Sequence, residues 1–255
     1  MPQRYFLEIM YKGTAYSGFQ IQKNAPNTVQ QVVEEVFAVL QKQALTMTGS
    51  SRTDAGVHAL QNFFHFDYDL PIHPQFRYKM NAILPKDIVV KNVYRVDDTA
   101  HCRFDALSRS YRYAIYASKD PFLADRSYYY PYTLNVDKMQ EAAAVLMEYQ
   151  DFTSFSKRNT QVKTFVCSIT KSGWQQEGSE LCYYVSANRF LRGMVRGLTG
   201  TMLQVGRDKL SIRQFRDIIE ARDCRQADFS VPGHGLFLTA VAYPPALLAN
   251  PLPLR

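Results

Sequence analysis

Arg52, Thr53 and Asp54 stand together in "GSSRTDAGVHAL", residues 49–60, with Gly49 before them and Gly56 after. A carboxylate works as a nucleophile only while ionised and poorly hydrated, and a guanidinium close by favours the ionised form. Arg52 and Asp54 are spaced i and i+2, so both point the same way if the backbone between them is extended. The same residues also suit a plain polar turn, because Asp-x-Gly is good turn chemistry. Other chemistries find less support. No serine sits in a G-x-S-x-G elbow, and there is no convincing Ser-His-Asp set. Neither GxGxxG nor GxxxxGK[ST] occurs, which removes the familiar nucleotide-binding loops.

Two further stretches carry groups that could meet a substrate. In "NRFLRGMVRGLTGTMLQV" (188–205), read as a helix, Arg189, Arg192 and Arg196 fall at i, i+3 and i+7 and would form one stripe. Such a stripe is either a solvated basic face or a row of phosphate contacts, with one arginine turned inward at a charge. In "SRSYRYAIY" (108–116), Tyr111, Tyr113 and Ile115 alternate with Ser110, Arg112 and Ala114. Tyr111 is then either a core tyrosine or a platform for a base. His58, His65, His101 and His234 are isolated histidines, expected to be structural. Cys102, Cys167, Cys182 and Cys224 form no CxxC pair. His101 and Cys102 are neighbours, but adjacent ligands alone do not build a zinc site. Four thiols outside disulfides in a reducing compartment are expected.

The elements that must hold these residues follow from periodicity. Residues 4–11 alternate as a strand, and 28–42 repeat apolar residues at helical spacing behind a Thr28–Gln31 capping box. Strands at 44–49 and 62–68, a helix opened by Pro74 and a strand at 87–96 complete a β-α-β-β-α-β order. The order then repeats: strand 110–118, helix 135–149, strands 162–174 and 179–187, helix 188–205 and strand 235–244, with an added helix at 211–221. The expected class is α+β, with two ferredoxin-like halves and mostly antiparallel sheets meeting around a catalytic cleft. The expected division is 1–103, carrying the Arg-Thr-Asp loop, and 104–255, completing the cleft. The proline-rich "PPALLANPLPLR" reads as a tail.

Composition narrows the partners. The 255 residues carry a net charge of +7 and 46% hydrophobic side chains. No apolar run reaches membrane-spanning length, and the N-terminus lacks the order of a signal peptide, so the cytoplasm is the expected compartment. The charge is uneven. Residues 1–100 hold 10 Lys+Arg against 9 Asp+Glu, and residues 101–255 hold 20 against 14. Fourteen of those 20 cations are arginine, the residue suited to bidentate phosphate contacts and to stacking on bases. With 17 Tyr and 16 Phe in the chain, RNA is a reasonable partner.

These pieces match a known pattern. "SRTDAGVHALQNFFHFD" (51–67) resembles the G-R-T-D-A-G-V-H-A signature of TruA-type tRNA pseudouridine synthases. "YKGTAYSGFQIQ" (11–22) is similar to their opening block, and "NAILPKDIVV", "HCRFDALSRSYRY", "DFTSF", "NRFLRGMVRGLTGTMLQVG" and "GLFLTAVAYP" resemble further blocks in the same order. The resemblance implies Asp54 as nucleophile, Arg52 as the arginine that helps flip the target base, Tyr111 lying against that base and Arg196 paired with the aspartate. It implies conversion of uridine to pseudouridine at tRNA positions 38, 39 and 40 in the anticodon arm, without metal or organic cofactor, by a homodimer. A catalytically inactive tRNA-binding protein on the same fold is the alternative; an aspartate-nucleophile hydrolase lacks a water-activating base. The chain departs from the pattern at Lys12, Phe19, Ser51 and Gly197.

Overall fold

Register and core are set by alternation on long strands. The computed structural model describes residues 2–158 and 162–252. It contains nine strands, mostly antiparallel, and five α-helices among those residues. The chain divides into two compact units: residues up to Leu107 together with those from Leu238 onward, and Ser108–Phe237. The sequence expectation of 1–103 and 104–255 differs at both ends. The last strand, expected to close the second half, lies with the first unit.

In the first unit β1 (Gln3–Tyr11) lies between β4 (Ile88–Arg95) and β3 (His58–Tyr68), antiparallel to both. The short β2 (Thr48–Gly49) pairs with β3 at His65 and Phe64, and β9 (Leu236–Ala242) follows β3 in the sheet order. The strand order 4-1-3-2 is that of the ferredoxin-like unit. Tyr5, Leu7, Ile9 and Tyr11 are buried, and so are Phe6 and Glu8 between them, so β1 is covered on both faces. Helices α1 (Val29–Gln41) and α2 (Phe76–Ile83) supply Phe37 and Phe76, whose rings meet edge to face. Thr28 caps α1 by accepting from the Gln31 amide, but the Gln31 side chain donates to Glu35, so the capping box is half made. The C-terminal segment is tied down: Leu252 N–H donates to the Val93 carbonyl. The last three residues of the expected tail, 253–255, lie outside the described residues.

In the second unit β5 (Ser108–Tyr116), β8 (Glu180–Ala187) and β7 (Ile169–Glu177) form an antiparallel order, with β6 (Tyr128–Tyr129) parallel to β5. Helices α3 (Val136–Val145), α4 (Met194–Gly206) and α5 (Ile212–Glu220) follow the expected order, and Asn135 and Ser211 cap α3 and α5. Two boundaries move. The strand expected from 162 begins at Ile169, because Phe165 and Cys167 bond with Phe152 and Gln150 instead of β8. The helix expected from 188 begins at Met194. Asn188 is held by Ser168, the Arg192 carbonyl accepts from Lys157 N–H, and Gly193 has φ +74. A left-handed residue cannot continue a right-handed helix upstream. None of the four cysteines is in a disulfide. Burial pushes the Cys167 thiol up to about 11 and Cys182 up to about 12, so both stay protonated at neutral pH.

One buried charge lies under the first unit's sheet. Glu8, 3% exposed, accepts from Gln61 Nε2 at 2.9 Å, Asn92 Nδ2 at 2.7 Å and Tyr94 OH at 3.0 Å, with Lys91 Nζ 3.4 Å away. Burial opposes its ionisation, but these bonds outweigh it and hold the carboxyl below its ordinary 4.5. Its contribution to stability is therefore full above that value and lost as the pH falls below it. Glu8→Gln turns an amide donor on Asn92 or Tyr94; it should cost about 1–3 kcal/mol at neutral pH and flatten the acid limb of a melting-temperature series. An unchanged series would show that the carboxylate contributes nothing.

Candidate active site

The loop between β2 and β3 is fastened along both sides. Ser50 N–H donates to the Phe63 carbonyl at 2.8 Å, and Phe19 N–H to the Thr53 carbonyl at 3.1 Å. Val57 N–H returns to the Asp54 carbonyl at 3.2 Å, closing a turn with Gly56 at φ +78. Gly13 N–H donates to His58 Nδ1 at 3.0 Å, and a Cβ on Gly13 would sit 1.9 Å from the Val57 carbonyl oxygen. Only glycine permits that approach. His58 is thereby structural, as expected of an isolated histidine.

Side chains complete the fastening. Asn62, fully buried on β3, donates to the Ser51 carbonyl at 2.8 Å and to Tyr11 OH at 3.3 Å. Tyr11 OH lies 2.7 Å from Thr53 Oγ1, so Asn62, Tyr11 and Thr53 form one hydrogen-bonded chain. Thr53 is turned into the unit, while Arg52 is exposed and Asp54 half-buried. That alternation is what the i, i+2 reading of Arg52 and Asp54 requires. Two departures from the family pattern sit in this frame. The Phe19 ring stacks on Phe64 at 4.7 Å, and a Cβ on Gly49 would meet it at 2.3 Å. Ser51 Oγ is buried without a hydrogen-bond partner.

The remaining candidates belong to the second unit. Tyr111 is buried on β5, with Phe190 edge-on at 4.9 Å. Arg196, in the first turns of α4, donates from Nε to the Val231 carbonyl at 2.8 Å. A Cβ on Gly197 would meet the Phe229 ring at 2.7 Å, which accounts for the missing side chain there. The arginine stripe is not formed. Arg189 and Arg192 precede α4 in the segment held by Ser168 and Lys157, so neither shares a helical face with Arg196. Arg192 is exposed and Arg189 half-buried. Arg112 is engaged by Glu180 and Glu177 at 3.1 and 3.3 Å.

Sequence reading missed Tyr11, Asn62 and Phe190. A single amide inside the apolar run "NFFHF" was the available signal for Asn62; Phe190 was counted toward the apolar side of a helix that begins later. Among the described residues, the group able to offer three metal ligands is His65, His101 and Cys102, which includes none of the candidate residues above.

Comparison with known proteins identifies the family. The family described as tRNA pseudouridine synthase matches residues 9–105 and 142–244. The chain is 47% identical over 247 residues to a tRNA pseudouridine synthase A of Parabacteroides distasonis, covering 96% of this chain and 98% of the relative. It is 44% identical to that of Porphyromonas gingivalis, covering 94% and 97%, and 38% identical to that of Staphylococcus saprophyticus, covering 95% and 91%.

The fastening makes its own forecast. Asn62→Ala orphans the Ser51 carbonyl and removes a donor from Tyr11, at a cost of about 1–3 kcal/mol. Amide hydrogen exchange should rise over residues 50–57 more than over β3. Equal protection in mutant and parent would mean that other contacts hold the loop.

Proposed function

The chain belongs to the tRNA pseudouridine synthase family, and from that premise we propose that Asp54 is its nucleophile. The reaction is the isomerisation of uridine to pseudouridine in tRNA. The N1–C1′ bond breaks, the base turns, C5 joins C1′, and the proton lost from C5 is balanced by one gained at N1. Atoms and charge balance within the substrate, so the protein has to supply a positioned carboxylate, a base pocket and a grip on RNA.

A uridine stacked in a tRNA arm must leave the stack before a carboxylate can reach it. Arg52, exposed beside Asp54, occupies the vacated space and holds phosphate. Tyr111, backed by Phe190, lies against the flipped base. Arg196, anchored through Nε, pairs with Asp54. Arg189 and Arg192 contact the RNA backbone. The substrate uridines are those at tRNA positions 38, 39 and 40, the protein is a cytoplasmic homodimer, and no cofactor takes part. The observation that carries this reading is the half-buried carboxylate on a loop fastened at Ser51, Thr53 and Val57. A protein that only binds tRNA has no need to hold a carboxylate this way.

Asp54→Asn keeps shape and loses the nucleophile. It should fold and bind tRNA with near-parental affinity but form no pseudouridine in a single-turnover assay on an anticodon-arm transcript. Measurable turnover, in protein free of deamidation, would falsify the assignment. Binding tests the two outer arginines. Arg189→Ala and Arg192→Ala should each weaken all tRNAs alike and reduce the log–log salt slope by roughly one unit per lost phosphate contact. Unchanged affinity and slope in both would remove them from the interface.

A further inference from the structure

His101 and Cys102 are adjacent in the chain, and folding brings a third donor to them. One potential ligand atom from each of His65, His101 and Cys102 lies within 4.8 Å of the others. His65 Nδ1 is 3.2 Å from Cys102 Sγ. Two such donors on one tetrahedral metal stand roughly 3.5 Å apart, given metal–nitrogen bonds of about 2.0 Å and metal–sulfur bonds of about 2.3 Å. The two imidazole rings are 4.5 Å apart, edge to face. Cys102 and His65 are buried and His101 is half-buried, which leaves an approach from the His101 side.

The donors are in the right chemical form. Cys102 N–H donates to His65 Nδ1 at 3.3 Å, and Arg103 N–H donates to His101 Nδ1 at 3.1 Å. Each Nδ1 therefore carries a lone pair and no proton. The Cys102 thiol donates to the Thr48 carbonyl at 3.1 Å. Two imidazoles and a thiolate suit Zn²⁺ and not Mg²⁺ or Ca²⁺, which take oxygen ligands.

We propose that His65, His101 and Cys102 bind one Zn²⁺, with water as the fourth ligand. On binding, the Cys102 S–H bond and its hydrogen bond to the Thr48 carbonyl break, the proton leaves to solvent and a sulfur–zinc bond forms; zinc stays divalent and nothing is oxidised or reduced. Asp105, whose carboxylate accepts from His101 N–H at 2.8 Å, supplies negative charge nearby. The metal serves the fold and not the isomerisation. Thr48 faces His65 across the β2–β3 pairing, and the Tyr243 hydroxyl donates to the Cys102 carbonyl and lies 3.1 Å from Ser50 Oγ. A cation here ties the start of the Asp54 loop to the segment around residue 102.

Cobalt is the probe. The full chain, stripped with chelator, should take up one equivalent of Co²⁺ with a thiolate-to-cobalt charge-transfer band and the visible bands of a tetrahedral site. Zn²⁺ should displace it, and Zn²⁺ added to the metal-free chain should release about one proton and raise the melting temperature. Cys102→Ala, a small change at a buried position, should lose the charge-transfer band and the zinc-dependent rise while keeping a cooperative metal-free melt. His101→Gln should weaken zinc binding by at least about tenfold, and Cys224→Ser should change nothing. The proposal is overturned if the band is absent in the parent protein, persists in Cys102→Ala, or disappears in Cys224→Ser.

Discussion

The contact between Tyr11 OH and Thr53 Oγ1, at 2.7 Å, is where the sheet takes hold of the reactive loop. Tyr11 ends β1, and Asn62, which faces Ile9 from β3, donates to the same hydroxyl and to the carbonyl of Ser51. Thr53 and Ser51 flank Arg52, so two adjacent strands of one rigid sheet fix the backbone on either side of it. A neutral hydrogen bond nets only about 1 kcal/mol, but a buried polar group left unpaired costs about 1–3 kcal/mol. The loop is therefore held less by what its bonds gain than by what any displacement would leave unpaired.

Packing explains two of the departures from the family pattern, one in each unit. Phe19 lies between Tyr11 and Phe64, and the absence of a side chain at Gly49 makes room for its ring. The second unit uses the same trade: Gly197 leaves space for the Phe229 ring, beside the carbonyl of Val231 that anchors Arg196. In both places a glycine and an aromatic ring share one volume, and the chain passes close by.

Gly193 decides where the arginines stand. Its left-handed backbone starts α4 at Met194 and leaves residues 188–192 as a separate segment, fastened to Ser168 and Lys157. Arg189 and Arg192 are thus presented by irregular backbone, and Arg196 by the helix. Three cations that seemed one surface are two sets with different freedom.

The sequence by itself determined the Arg-Thr-Asp motif, the order of strands and helices, and the caps at Thr28, Asn135 and Ser211. Each of these depends on residues within a few positions of one another, so a short window contains the whole cause. It also contained enough ordered motifs to identify the family. Tertiary structure alone decided that β7 begins at Ile169, that α4 begins at Met194, that the last strand lies with the first unit, and that His65 lies beside His101 and Cys102. Each of those outcomes depends on a partner far along the chain: Phe152 for Phe165, Lys157 for Arg192, β3 for β9. Local periodicity states which backbone groups need a partner, and only the folded chain determines which partner comes within reach.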